Sequence, residues 1–129
     1  MPGGLILIIE DNEKSLKLVR DVLSFNGYQT VEATTAEEGI EIARTRQPAL
    51  ILMDIQLPSM DGVAALRELR AGTATQKIPV IAVTASAMPL ERRAIMAAGF
   101  DGYLAKPLSV RALRETVRKC LENSTGEAS

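Results

Sequence analysis

Aliphatic residues in this chain come in short unbroken blocks, separated by longer stretches where apolar positions recur every three or four residues. Leu5-Ile6-Leu7-Ile8-Ile9, Leu50-Ile51-Leu52-Met53 and Val80-Ile81-Ala82-Val83 are the blocks. A run that short, uninterrupted by polar residues and bounded by turn formers, is the pattern of a strand covered on both faces. Tyr28 to Ala33 and Tyr103-Leu104-Ala105 add two weaker strand candidates. The intervening stretches read as helices. Leu16, Val19 and Leu23 share one helical face, as do Ala36, Ile40 and Ala43; Val63, Leu66 and Leu69; and Val110, Leu113, Val117 and Leu121.

Helix boundaries are marked by their usual chemistry. Asn12 or Asp11 can cap the first helix, and Gly27 ends it. Thr35 followed by Glu38 forms a capping box ahead of a second helix that runs to about Arg46. Asp61 can cap the third helix, and Ala71-Gly72-Thr73 closes it. Pro89 suits the first turn of the fourth, which Gly99 ends, and Ser109 caps the fifth. Strand and helix alternate five times, which predicts an α/β fold with a parallel sheet covered on both faces and right-handed crossovers. The expected arrangement is a (βα)5 flavodoxin-like, doubly wound, five-stranded parallel sheet in the order 2-1-3-4-5. The folded domain is expected over 5–122, with short tails at 1–4 and 123–129.

The strand ends carry the chemistry. In that order strands 1, 3, 4 and 5 are neighbours, and they end in Glu10-Asp11, Asp54, Thr84 and Lys106. The carboxyl edge of an open α/β sheet is where ligands bind. Taken alone, Asp54 reads equally well as a turn cap. Polar residues at four neighbouring strand ends, always on the same edge, favour a site. Three carboxylates crowded together repel one another, and a hard divalent cation relieves them. Few carboxylates and open positions suit Mg2+. A carboxylate beside such a cation can attack phosphorus, with Lys106 and the Thr84 hydroxyl facing the phosphoryl oxygens.

Composition narrows the choice. The 129 residues are 47% hydrophobic and 24% charged, with a net charge of −1, as for one soluble domain without bulk attraction to nucleic acid or anionic lipid. The apolar runs fall far short of a membrane span, and the start lacks the pattern of a secretion signal, so a cytoplasmic location is expected. The chain contains no histidine, which excludes Ser-His-Asp triads, histidine-based zinc sites and a phosphohistidine carrier. Its single cysteine, Cys120, falls among helical core positions and reads as a packing residue.

Four motifs in order, Ile9-Glu10-Asp11-Asn12, Met53-Asp54-Ile55-Gln56-Leu57-Pro58 with Asp61-Gly62, Val83-Thr84-Ala85 and Tyr103-Leu104-Ala105-Lys106-Pro107, closely resemble the receiver domain of two-component response regulators. The resemblance covers the chain from Ile6 to Leu121. It implies a phosphoacceptor signalling domain rather than a classical enzyme, with Asp54 phosphorylated from a histidine of a sensor kinase or histidine phosphotransfer protein. It also implies Mg2+ held by Asp11, Asp54 and the Gln56 carbonyl, with Glu10 acting largely through water. Thr84 and Tyr103 would be the switch, a cis peptide would join Lys106 to Pro107, and the output surface would be helix 4, strand 5 and helix 5, meeting a downstream protein. The family often has Asp at the position of Glu10. A single-domain regulator and a receiver from a hybrid kinase share this look. Leu18, Val22 and Phe25 are a candidate strip for the phosphodonor. Arg111, Arg114 and Arg118 form a basic strip expected on the output side. Two other classes fit less well. A haloacid-dehalogenase-like phosphatase needs an Asp where Gln56 stands, and a flavodoxin-like electron carrier would set its FMN phosphate against Glu10 and Asp11.

Overall fold

The computed structural model describes residues 4–55, 62–85 and 89–128. Its elements, in chain order, are β1 (Leu5–Ile9), α1 (Glu13–Phe25), β2 (Gln29–Ala33), α2 (Ala36–Arg46), β3 (Leu50–Asp54), α3 (Gly62–Ala71), β4 (Val80–Thr84), α4 (Pro89–Ala98), β5 (Gly102–Ala105) and α5 (Val110–Ala128). All strand pairs are parallel and the order is β2-β1-β3-β4-β5, as expected from the alternating pattern.

The unbroken aliphatic blocks follow from burial on two sides. Leu7, Ile9, Ile51, Met53, Val80 and Ala82 point to one face, where α2, α3 and α4 bring Ile40, Leu66, Leu69 and Ile95. Ile6, Ile8, Leu50, Leu52, Ile81 and Val83 point to the other, where α1 and α5 bring Leu16, Val19, Leu23, Leu113 and Val117. Each fully buried Ile or Leu contributes about 1.5–3 kcal/mol, so β1 and β3 anchor both layers at once. Gly39 lets α2 lie close on β1, because a Cβ there would strike the Ile9 side chain.

The caps behave as their residue types require. Asn12 Oδ1 accepts from the Ser15 amide at 3.0 Å. Gly27 follows α1 with φ +90°, a conformation that favours glycine. The Thr35 hydroxyl accepts from the Glu38 amide at 3.1 Å, while the Glu38 carboxylate reaches the Thr34 amide at 3.0 Å, one residue earlier than a strict capping box. Ser109 accepts from the Ala112 amide at 3.3 Å. The cap expected of Asp61 falls outside the described residues.

Three expected core positions differ. Val63 is 37% exposed, and Gly62 and Ala65 take the inward places instead. The phase of α3 is set at its first residue, where the Gly62 backbone lies flat on Ile55, rotating Val63 out. Val110 is 46% exposed because Leu108, just before the helix, packs into the core in its stead. Leu121 is only partly buried. Phe25, in the last turn of α1, is 92% exposed. Cys120 packs half-buried against the α1–α5 core, as a packing residue should. Helix α5 continues to Ala128 through the stretch that reads as a polar tail. Among the described residues no helix is long and apolar enough to cross a membrane.

Candidate functional site at the carboxyl edge of the sheet

Strand register brings the polar strand ends level. Ile9 pairs with Met53, Asp54 with Val83, and Thr84 with Ala105. The ladder continues past the strands, through Glu10 N–H to Ala33 O at 3.0 Å, Ile55 N–H to Val83 O at 3.1 Å and Lys106 N–H to Thr84 O at 2.8 Å. Glu10, Asp54, Thr84 and Lys106 are therefore held by main-chain bonds on neighbouring strands, which is the rigid support a reactive constellation needs.

Asp54 is the last residue of β3 and is 5% exposed; Glu10, just beyond β1, is 4% exposed. Lys106 Nζ lies 2.9 Å from Glu10 Oε1 and 3.0 Å from Asp54 Oδ2 and bridges the two. The other Glu10 oxygen accepts from the Asn12 amide at 3.0 Å, so the residue that caps α1 also aims the Glu10 carboxylate. Asp11 is exposed at the mouth. One oxygen from each of Glu10, Asp11 and Asp54 lies within 4.8 Å of the others. Thr84 is buried at the end of β4.

Burial raises the Glu10 pKa above its ordinary value, and the neighbouring Asp54 carboxylate pushes the same way; the Asn12 amide and Lys106 pull it down without cancelling the rise. For Lys106, burial works to lower the pKa, but its bonds to Glu10 and Asp54 outweigh that and leave it raised. The site is thus a pair of buried carboxylates bridged by one ammonium, which offsets one of their two charges, with a third carboxylate at the rim.

The donor set fits a hard cation. Octahedral Mg2+ takes oxygens at about 2.1 Å and places opposite ligands about 4.2 Å apart. Three carboxylate oxygens gathered within 4.8 Å are the hard donors that such a cation takes.

Tyr103 stands on β5, half-buried against the α2–α4 layer. Its hydroxyl accepts from Arg92 Nη1 at 2.7 Å, and the Arg92 guanidinium lies 5.7 Å from the ring centroid. The Lys106–Pro107 peptide is cis, as the resemblance implies. Gln56 lies outside the described residues, so its carbonyl is not placed. The hydrophobic strip on α1 divides: Val22 packs into the α1–α5 core, Leu18 is half-buried and Phe25 is exposed. The basic strip on α5 lines a groove with Asn26 and Tyr28, at the end of α1 and the start of β2. Two contributors were invisible in the sequence. The backbone of Asn12 could have been suspected from its capping role, whereas nothing marked Arg92 as the partner of Tyr103.

A model of the response regulator receiver domain matches residues 6–118. The polar-differentiation response regulator DivK of Brucella ovis is 40% identical over 116 residues, covering 90% of this chain and 94% of that protein. Among solved structures, the receiver domain of the sensor histidine kinase PA1611 from Pseudomonas aeruginosa PAO1, which has a magnesium ion coordinated in its active-site cleft, is 32% identical. It superposes with a TM-score of 0.84, over 92% of this chain and 98% of that one. A putative response regulator from Chloroflexus aurantiacus J-10-fl is 27% identical with a TM-score of 0.87, over 92% and 98% of the two chains.

Proposed function

The chain belongs to the response regulator receiver domain family, and from that premise we propose that Asp54 is its phosphoacceptor. The observation that carries the proposal is the buried Asp54 carboxylate held 3.0 Å from Lys106, beside Glu10 and Asp11. An Asp54 oxygen attacks the phosphorus of a partner's phosphohistidine; the new O–P bond forms as the N–P bond breaks, and the imidazole leaves with the electron pair. Lys106, already bonded to Asp54, follows a phosphoryl oxygen as the carboxylate becomes an acyl phosphate. Thr84 donates its hydroxyl to another. Asp11, Asp54 and the Gln56 carbonyl, with Glu10 through water, would hold Mg2+, which when bound would supply positive charge to the transferring phosphoryl group.

The output is conformational. Thr84 and Tyr103 lie on adjacent strands of one sheet, so a shift of Thr84 towards the phosphoryl group opens space beside Tyr103. Tyr103 then exchanges its bond to Arg92 for an inward position, changing the surface of α4, β5 and α5 that meets a downstream protein. The domain works in the cytoplasm, receiving phosphate from a sensor histidine kinase or a histidine phosphotransfer protein. The half-buried Leu18 on α1 touches that donor.

Radiolabelled phosphotransfer from the host's histidine kinases and phosphotransfer proteins tests the reading, with Asp54→Asn as control. One donor is expected to label the wild type and to leave the control blank. A wild type that no donor labels, or an Asp54→Asn chain labelled equally well, would overturn it. Leu18→Glu is expected to slow transfer from that donor while the fold persists; an unchanged rate would remove Leu18 from the docking surface.

A further inference from the structure

A second concave site lies on the opposite side of the sheet from Tyr103. It is a groove of about 490 Å³ lined by Asn26, Tyr28, Arg111, Arg114, Glu115 and Arg118. The floor is fixed. Asn26 caps α1, with its side-chain amide on Val22 O at 2.7 Å, and Tyr28 packs half-buried on the α1–α5 core. Residues 111, 114 and 118 fall within one narrow face of α5, because steps of three and four residues return to the same side of a helix.

The charge balance in the groove is one-sided. Three guanidinium groups line the groove with one carboxylate, Glu115, and a second, Glu122, reaches Arg118 from the next turn, in a molecule whose net charge is −1. Arg111 is paired with Glu115 at 3.3 Å, and Arg118 with Glu122 at 3.0 Å, both between exposed side chains of successive turns. Such exposed pairs are weakly held and readily exchange partners. Arg114, between them, makes no ion pair or side-chain hydrogen bond among the described residues. Phe25, the last residue of α1 and the neighbour in sequence of the groove residue Asn26, is 92% exposed. A free guanidinium, two exchangeable ones and an exposed aromatic ring form a surface built for carboxylates carried beside an apolar residue. Overall negative charge weighs against a nucleic-acid backbone, which is attracted by a long-range positive field rather than by one local strip.

We propose that this groove docks an acidic helical segment of a partner protein, whose carboxylates, spaced at successive turns, form two-pronged hydrogen bonds with Arg111, Arg114 and Arg118 while an apolar residue covers Phe25. The site is separate from the phosphoacceptor edge. Tyr28 immediately precedes β2, whose first residue pairs with the first residue of β1, so the floor lies at the amino edge, about 20 Å along the strands from Asp54, while Arg111 stands in the first turn of α5, which starts on the carboxyl side.

The probe is a synthetic amphipathic helix with glutamates at i, i+4 and i+7 and one flanking leucine, titrated into the full ¹⁵N-labelled chain. Saturable amide shifts are expected at Asn26, Tyr28, Arg111, Arg114 and Arg118, weakening as salt is added. Arg114→Glu is expected to reduce affinity roughly tenfold with an otherwise unchanged spectrum, and Arg114→Lys to recover only part of the loss because the fork is missing. Phe25→Ala weakens binding without changing its salt dependence. The proposal is overturned by absence of saturable binding, by equal binding of the glutamine version of the peptide, or by an Arg114→Glu chain that binds as the wild type does. It is also overturned if a DNA duplex or inorganic phosphate produces the same shifts at lower concentration, or if raising the protein concentration alone does so, which would make the occupant a second copy of this chain.

Discussion

Replacing Lys106 by methionine removes the cation that, among the described residues, bridges Glu10 and Asp54. Both partner carboxylates are at most 6% exposed on their side chains and lie 2.9 and 3.0 Å from the ammonium. With charge centres roughly 4 Å apart and an effective dielectric of about 20, each attraction is worth about 4 kcal/mol before desolvation. Breaking a buried ion pair by removing one partner costs about 3–5 kcal/mol. Lys106 keeps 24% of its side chain in water, which places the expected loss at the low end, about 2–3 kcal/mol. For a domain of this length that is a fall in melting temperature of about 8–12 °C. The sign with pH follows from the raised Lys106 pKa: its contribution is full at neutral pH and is lost only as pH rises past the ordinary lysine value of 10.5. The assay is thermal unfolding at neutral pH in EDTA and again in excess magnesium chloride. In the wild type a bound cation must compete with Lys106 for Glu10 and Asp54; in Lys106→Met it does not. The variant is therefore expected to bind magnesium more tightly and to regain most of its deficit when saturated. Equal melting of the two proteins in EDTA, or a gap that widens with magnesium, would refute the reasoning.

Glu10, with its pKa raised above 4.5, makes the folded chain hold more protons than the unfolded one between that value and the raised one, so metal-free stability is expected to fall as pH rises through that window. Glu10→Gln should flatten the dependence in urea midpoints measured across mildly acidic pH and should weaken magnesium binding; an unaltered slope would show that Glu10 is not its source. A Cβ at Gly62 would sit 2.8 Å from the Ile55 Cα. Gly62→Ala is expected to cost about 1–3 kcal/mol and to slow uptake of label at Asp54, read by denaturation and phosphotransfer together. Arg70 donates to Gln76 O and Ile78 O and pairs with Asp101 at 2.9 Å, and Asp101 in turn accepts from the Val80 amide. Because these groups are partly in water, Arg70→Ala should cost about 1–2 kcal/mol, with faster hydrogen exchange at Val80 as its local signature.

The fold was legible because its strands are buried on both faces. A block such as Leu50-Ile51-Leu52-Met53 has no other easy reading, and Asn12, Gly27, Thr35 and Ser109 mark boundaries through local bonds that depend on residue type alone. The site was legible for a related reason: in parallel strands that end level, the residue after each apolar block is placed by topology. What the sequence did not carry is set by packing between elements. Val63 turns outward because α3 takes its phase from the contact of Gly62 with Ile55. The arginine strip could be found by spacing, but the direction it faces depends on how Leu113 and Val117 seat α5. Arg92 and Tyr103 meet across two elements with no periodic relation between them.

The sheet also acts as a partition. Alternate residues of each strand belong to different layers, and the two cores share no buried side chain among the described residues. The layer behind Tyr103 and the layer behind the α1–α5 groove therefore share strand backbones but not side chains, and they meet again at the strand ends where Glu10, Asp54 and Thr84 sit. A lineage carrying this chain could exchange one set of partners while retaining the other. The row of side chains along a single edge would be what both sides must hold in common.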